Sequence, residues 1–380
     1  MKGAFYARLL RRLVGNELRR RAGRPAIPYK LLWNTTYYCN SRCRTCNVWQ
    51  IYPRDGSQKD ELQRGDVVRT ISSLRSHLLW LTLTGGEPTL KLHAAETVNE
   101  VYDACPHLSF ITVNSNAIIP AQTERVMKAI ASHCRRAEVL VVLSLDGVGR
   151  VHDAVRGVPG NFDSVLETRD RVRSLARILP NLGLCFQSTV SRHNLAHVPE
   201  LIAFCRSLGE EQLVTFAQEA ELYRNHGEGH DVTADRAALP AALQAVSRLY
   251  RPRHPRDLVQ WAHLRLMRRF VATRRAPVSC RAASSTITLG PRGDVSGCLF
   301  LDNRIGNVKD FRYDLLALLR SPEGVATQHA CGSCNQCWTN CESFTSMVSS
   351  PVQTLLRAVS PAPPALTLAP SPAPEAGPHA

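Results

Sequence analysis

The chain has 380 residues, 44% of them hydrophobic, enough for one large α/β domain and a smaller one. No apolar run approaches the ~18 residues of a membrane span, and Arg11, Arg12, Arg19, Arg20 and Arg21 interrupt any secretory core. The net charge of +15 comes from two segments, 1–30 and 248–275, each carrying nine basic residues against one acid.

Since 41 of the 47 basic residues are Arg, that charge reads as compositional bias as much as phosphate recognition. No aromatic-interleaved basic strand accompanies it, which argues against nucleic acid as a partner. Thirteen cysteines, mostly in short metal-type clusters without an export signal, fit a reducing cytoplasm.

Residues 1–29 form a basic N-terminal segment. Within it 4–20 predicts an amphipathic helix with Phe5, Leu9, Leu13, Val14 and Leu18 near one face. Such a helix suits a membrane surface or packing across the end of a barrel. From 30 to 225, strands are predicted at Leu31–Thr36, Leu79–Thr84, Ser109–Val113, Glu138–Leu145, Gly183–Val190 and Gln212–Phe216. Amphipathic stretches such as Glu61–Ser76, Gln122–Cys134, Ser164–Ile178 and Leu195–Leu208 lie between them. This alternation predicts parallel β/α units, either doubly wound or a partial barrel. Residues 226–278 read as a helical linker with helices near 234–250 and 256–274. Residues 279–348 read as a small Cys-rich module. The segment 349–380 reads as a disordered tail, with seven Pro among its last 20 residues.

The chemistry-bearing motifs follow strand ends. Cys39, Cys43 and Cys46 have C-x3-C-x2-C spacing after the first strand. Three thiolates can hold a [4Fe–4S] cube and leave one iron open, whereas electron-carrying clusters usually have four Cys ligands. A zinc site or three unrelated thiols are the plainer readings, but no His or Cys follows closely enough to complete a zinc finger. Gly85-Gly86-Glu87-Pro88 follows the second strand; its glycines permit a tight turn and close approach to a ligand, and Pro88 stiffens the exit. Ser144 and Asp146 close the fourth strand, two apart and therefore on one face. His152-Asp153 and Arg156-Gly157 come next. Arg156 suits a carboxylate or anchors a surface loop. Farther on, Cys280 is followed by Gly293 and Cys298, then by Cys331, Cys334, Cys337 and Cys341. That last run has the C-x2-C-x2-C-x3-C spacing of bacterial ferredoxins, without the usual Pro. Cys105, Cys134, Cys185 and Cys205 are isolated and read as packing residues.

These motifs together resemble the radical SAM superfamily over most of the chain, with a C-terminal module similar to the SPASM or twitch type. The resemblance implies a partial (β/α)6 TIM-like barrel of the α/β class carrying a small iron–sulfur domain. It implies that Cys39, Cys43 and Cys46 hold a cluster whose open iron chelates S-adenosylmethionine (SAM). Gly85, Gly86, Glu87 and Pro88 would receive the SAM ammonium group, Ser144 and Asp146 the ribose, and Arg156 the carboxylate, with Asn116 in the same pocket. Cys280, Cys298, Cys331, Cys334, Cys337 and Cys341 would hold one or two auxiliary [4Fe–4S] clusters. Six thiols allow a division into Cys280/Cys298/Cys341 and Cys331/Cys334/Cys337, or four ligands and two spares. The module departs from the fuller seven-Cys pattern, and Leu299 and Phe300 follow Cys298 where sulfatase-maturing relatives place an Asp base.

The implied activity is reductive cleavage of SAM to a deoxyadenosyl radical, with an external donor of flavodoxin or ferredoxin type. Hydrogen abstraction from a peptide or small metabolite would follow. An electron-transfer protein without SAM chemistry and an RNA-modifying radical enzyme are the rival readings.

Overall fold

The computed structural model describes residues 2–361 except 221, 231, 233, 234, 236, 250–256 and 302. Six strands follow in sequence: β1 (Lys30–Asn34), β2 (Trp80–Thr84), β3 (Phe110–Ser115), β4 (Glu138–Ser144), β5 (Leu182–Val190) and β6 (Gln212–Phe216). All five pairings between successive strands are parallel. A doubly wound sheet reverses its strand order at a switch point; here the order runs monotonically from β6 to β1. The crossovers therefore all advance one way, and the sheet is an open, curled partial barrel, as expected.

The sheet continues beyond β1. β7 (Thr286–Leu289) pairs parallel with β1, and β8 (Asp294–Ser296) and β9 (Arg304–Asn307) extend it antiparallel. The Cys-rich module is thus anchored to the barrel by sheet hydrogen bonds. The linker is anchored too: its described helices, Leu239–Ser247 and Asp257–Thr273, place Leu243, Met267 and Phe270 in one core with Val190, Phe216, Trp338 and Met347.

The main core packs strand residues Leu31, Leu83, Val113 and Val141 against helix residues Ile71, Val98, Ile130 and Val172. Burial on both faces explains why these strands read as continuous apolar runs. Three features differ from the sequence expectation. A helix at Ala94–Ala104 fills the β2–β3 crossover. Helices also run through the Cys-rich module at Pro322–Ser333 and Asn340–Ser349. The expected disorder from 349 is corrected in part: Pro351–Val359 is a helix with Pro at its first turn, a position where Pro lacks only an N–H that would be orphaned anyway. The Pro-rich stretch from 362 lies outside the described residues.

The N-terminal helix, Lys2–Arg21, crosses the end of the sheet where the strands begin. Arg8 Nη1 donates to Ser109 Oγ (3.2 Å), just before β3. Asn16 Nδ2 donates to the carbonyls of Ile27 (3.0 Å) and Ser284 (3.2 Å), before β1 and β7. The motif loops sit at the opposite, C-terminal end.

Candidate SAM and iron–sulfur site

The Cys loop and the Gly-Gly-Glu turn are built against each other. Leaving β1, Thr35 N donates to Thr84 O (2.9 Å). In return, Gly86 N donates to Thr36 O (2.7 Å) and Glu87 N to Tyr38 O (2.9 Å). The fit leaves no room for side chains. A Cβ on Gly85 would stand 2.4 Å from Thr36 O, at a φ of +118°, and one on Gly86 would stand 2.1 Å from Tyr38 O.

Glu87 is buried, and four donors surround its carboxylate: Thr89 N (3.2 Å), Thr89 Oγ1 (2.6 Å), Ser115 Oγ (3.0 Å) and Asn116 N (2.7 Å). Burial still raises its pKa, because these hydrogen bonds only partly replace lost water. Asn116 turns its Nδ2 to Asn40 Oδ1 (2.8 Å) and toward Cys39 Sγ (3.8 Å). Pro88 opens the 3-10 turn Pro88–Leu90 outside the cavity lining.

A second brace comes from the helix Arg150–Arg156. Arg42 N donates to Arg156 O (2.9 Å), Arg44 N to Val155 O (2.9 Å) and Ser41 Oγ to Arg156 O (3.0 Å). Gly157 ends that helix at φ +65°, and a Cβ there would meet Arg42 O at 2.3 Å. The Arg156 guanidinium is buried beside the cysteines. Burial alone would lower its pKa, but Cys43, Asp146, Cys39 and Cys46 outweigh that and raise it.

Ser144 ends β4 and lines the cavity, whereas Asp146 lies past the strand end and does not. Strand alternation therefore no longer sets the direction of Asp146. Its carboxylate accepts from Thr189 N (2.7 Å) and Arg156 Nη1 (3.2 Å). Behind it, Asp146 N donates to His152 Nδ1 (3.0 Å), and His152 Nε2 meets Asn161 Oδ1 (3.0 Å).

Cys39, Cys43, Cys46, Gly85, Gly86, Glu87, Asn116, Ser144 and Arg156 line a single cavity of about 190 Å³. Burial, aided by Glu87 and Cys43, pushes the Cys39 thiol up to about 12. Burial and Cys43 do the same to Cys46. Ser41 N donates to Cys39 Sγ (3.5 Å), and Ser41 Oγ lies 3.1 Å from Cys43 Sγ. Three thiols, polar hydrogens at two sulfurs and an adjacent guanidinium fit a thiolate-bound iron cluster, whose positive metal would deprotonate such thiols. Among the described residues, no three His, Cys, Asp or Glu side chains close on a single metal ion.

The C-terminal module contributes to the lining as well: Leu299, Phe300, Thr339, Asn340 and Cys341 line the same cavity. Cys341 stands apart from the other module cysteines. Lys30 Nζ donates to its carbonyl (2.8 Å), and both Cys341 and Cys46 act electrostatically on Tyr223, whose hydroxyl burial pushes above its usual range. The other five gather behind. Asn303 Nδ2 approaches Cys331 Sγ (3.2 Å) and Cys298 Sγ (3.7 Å). Burial, Glu342, Cys334 and Cys298 raise Cys280 to about 12, and burial, Cys280, Glu342, Cys298 and Cys334 raise Cys337. Cys298 shares a hydrogen bond with Cys331 that lowers its own pKa and raises its partner's. This grouping differs from a three-and-three division that pairs Cys298 with Cys341. Sequence reasoning also missed Gln187, Thr189 and Tyr223 on the cavity wall, since no motif marks them.

Residues 33–204 match the family described as Radical SAM superfamily. The pre-heme d1 synthase of Dinoroseobacter shibae is 26% identical over 233 residues, covering 60% of this chain and 54% of that protein. The AdoMet-dependent heme synthase of Nitratidesulfovibrio vulgaris is 25% identical over 185 residues, covering 47% and 45%. The chain thus spans about half the length of the curated relatives it matches. Among solved structures, Streptococcus suis SuiB bound to S-adenosylmethionine superposes with a TM-score of 0.54 at 16% identity, covering 81% of this chain and 71% of that one. Native anSMEcpe with bound AdoMet and Cp18Cys peptide gives 0.56 at 12%, covering 87% and 99%.

Proposed function

We propose that this chain, which carries a radical SAM domain over residues 33–204, holds a [4Fe–4S] cluster on Cys39, Cys43 and Cys46 and SAM in the cavity beside them. When bound, the cluster and SAM supply a deoxyadenosyl radical that takes hydrogen from an unreactive C–H, which is chemistry the cofactor brings and the protein positions. Gly85, Gly86 and Glu87 receive the ammonium group through the turn backbone. Glu87 also fixes residues 115 and 116 by accepting from Ser115 Oγ and Asn116 N. Ser144 offers a hydroxyl to the ribose. Arg156 faces the carboxylate, and Asp146 holds the guanidinium in place. Four of the five gathered cysteines, Cys280, Cys298, Cys331, Cys334 and Cys337, would hold a SPASM-like auxiliary cluster, which would supply an acceptor for the substrate electron.

One observation carries this reading: a single cavity is lined both by the Cys39/Cys43/Cys46 loop and by residues 299–300 and 339–341 of the Cys-rich module. Substrate held there meets both. Among the described lining residues only Glu87 and Arg156 are charged, and both are engaged by the protein. The reacting part of the substrate is therefore uncharged, a peptide segment or a hydroxyl-bearing metabolite. The printed names of SuiB "bound to precursor peptide SuiA" and of anSMEcpe with Cp18Cys peptide support the peptide reading. The oxidising outcome, the auxiliary cluster and an external flavodoxin- or ferredoxin-type donor belong to the same proposal.

Anaerobic reconstitution with iron and sulfide, followed by SAM and dithionite, tests it. Wild type should form deoxyadenosine and methionine, and the Cys39→Ala/Cys43→Ala/Cys46→Ala variant should form neither while keeping the auxiliary iron. Reconstituted wild type whose cluster spectrum ignores SAM refutes the assignment.

A further inference from the structure

The N-terminal helix Lys2–Arg21 is amphipathic twice over. Its inner side meets the barrel through Arg8 and Asn16. Its outer side carries Tyr6 (58% exposed), Leu10 (62%), Val14 (51%) and Leu18 (61%), four apart along one stripe. Arg11, Arg20 and Arg21 are exposed on the same helix, and Arg24 follows it. Glu17, the only acid in the helix, is bracketed by Arg20 (2.8 Å) and Arg21 (2.9 Å).

The C-terminal helix Pro351–Val359 repeats the pattern inside out. Small Thr354 and Ala358 are buried, while Val352 (71%), Leu355 (59%), Leu356 (62%) and Val359 (57%) face outward beside Arg357. Helices of a globular protein normally bury their large apolar face. Two that expose it mark an interaction surface rather than scattered apolar residues.

The two helices flank one turn. Asn16 Nδ2 donates to Ser284 O (3.2 Å), Ser285 Oγ meets Ser349 Oγ (3.3 Å), and Arg281 Nη2 reaches Ser350 Oγ (3.4 Å), the residue that caps the C-terminal helix. That turn precedes β7, at the end of the sheet where the strands begin, away from the cavity.

We propose that this end of the barrel seats on an anionic lipid surface, with both apolar stripes at the headgroup–acyl boundary and the arginines on lipid phosphates. Charge decides the occupant. Within residues 1–30 the exposed arginines Arg11, Arg20, Arg21 and Arg24 stand against Glu17 alone, so a second copy docked on the same face would set like against like. An anionic bilayer is complementary to the arginines and apolar enough for the stripes. Seated this way, the protein turns its cavity mouth to the aqueous phase, open to donor and substrate.

Flotation of the full chain tests this, using vesicles of phosphatidylcholine alone and vesicles with phosphatidylglycerol at about one part in three. Wild type should float at least tenfold more with the anionic vesicles. Leu10→Glu/Leu18→Glu and, separately, Leu355→Glu/Leu356→Glu should each cut that at least tenfold, since one buried leucine is worth about tenfold or more. Neutralising Arg11 or Arg21 with Gln should cost about fivefold each. These positions are exposed, so SAM cleavage should stay at the wild-type rate, a check that folding survives. Wild type that does not float, or floats equally with the leucine variants, overturns the proposal. So does a wild-type dimer in light scattering that the same substitutions dissociate, or capture only by an acidic protein.

Discussion

Gly86→Ala isolates the joint between the Gly-Gly-Glu turn and the Cys loop. An alanine Cβ would lie 2.1 Å from Tyr38 O and 2.6 Å from Tyr38 C, where real Cβ contacts essentially never fall below 3.0 Å. The turn must retreat by about 0.9 Å, because the obstacle is backbone and not a side chain that can rotate away. Two hydrogen bonds, Gly86 N to Thr36 O and Glu87 N to Tyr38 O, lie across that gap. Overpacking of this kind costs about 1–3 kcal/mol, which leaves most domains folded. Misplacing reactive groups by about 1 Å costs about a hundredfold in rate. Gly86→Ala should therefore retain a cooperative melt and most of its iron, yet form deoxyadenosine about a hundredfold more slowly. Gly65→Ala is the control: it sits in the helix Arg64–Ser72 with nothing within 4 Å of the new Cβ, and should leave the rate unchanged. Wild-type turnover by Gly86→Ala, measured anaerobically at saturating SAM, would refute the claim that this contact sets the SAM pocket.

Asp146→Asn keeps an oxygen for Thr189 N but replaces the partner of Arg156. Removing one member of a buried pair costs about 3–5 kcal/mol. SAM affinity by titration should fall at least tenfold with the Cys39/Cys43/Cys46 cluster still formed, whereas Thr189→Ala, which keeps the backbone N–H, should bind normally. A third expectation concerns pH. Burial holds His152 down to about 4 and His263 to about 3, against an ordinary value near 6.5. Both rings are neutral in the fold and protonate more readily once it opens. The stability these two rings contribute is therefore full above about pH 6.5 and is lost as pH falls from there toward 4. Melting temperature should drop over pH 6.5–5, and His152→Asn should flatten the slope; an unchanged slope would assign the acid sensitivity elsewhere.

The barrel was legible because parallel strands are buried on both faces and therefore read as apolar runs; Glu138–Leu145 was expected and Glu138–Ser144 observed. The Cys, Gly-Gly-Glu and Ser144 positions were legible because each follows a strand end, where loops at one end of the sheet must converge. Asp146 was not, since strand periodicity stops at Ser144 and a turn decides the rest. The helix Ala94–Ala104 is only 11 residues long and begins after His93 in a left-handed conformation, with no Ser, Thr, Asp or Asn capping signal. The C-terminal cysteines show the limit most clearly. Ferredoxin-like spacing makes Cys341 equivalent to its neighbours in sequence, yet Asn340–Ser349 is a helix and Cys341 sits at its start, lining the cavity of Cys39, Cys43 and Cys46.

The placement of Cys341 follows from the sheet. β7 pairs with β1 residue for residue, from Lys30 opposite Thr286 to Trp33 opposite Leu289. The same β1 delivers the Cys39 loop. The two cysteine groups are thus tied by adjacent strands, and the linker helix Asp257–Thr273 adds to this, His263 O accepting from Trp338 Nε1 (3.1 Å) between Cys337 and Cys341. Lys30 reinforces the arrangement at the first residue of β1. Its ammonium lies 4.2 Å from the Trp80 ring centroid and donates to Cys341 O, while burial lowers its pKa against the opposing charges of Cys341 and Glu342. A buried amine with these partners ties the start of the last module helix to the first strand of the barrel. Were the front loop and the gathered cysteines each to hold a cluster, as proposed, electron exchange between them would depend on that fixed separation. The separation belongs to one continuous sheet, so substitutions along β1 and β7 should alter coupling between the sites even where they touch neither.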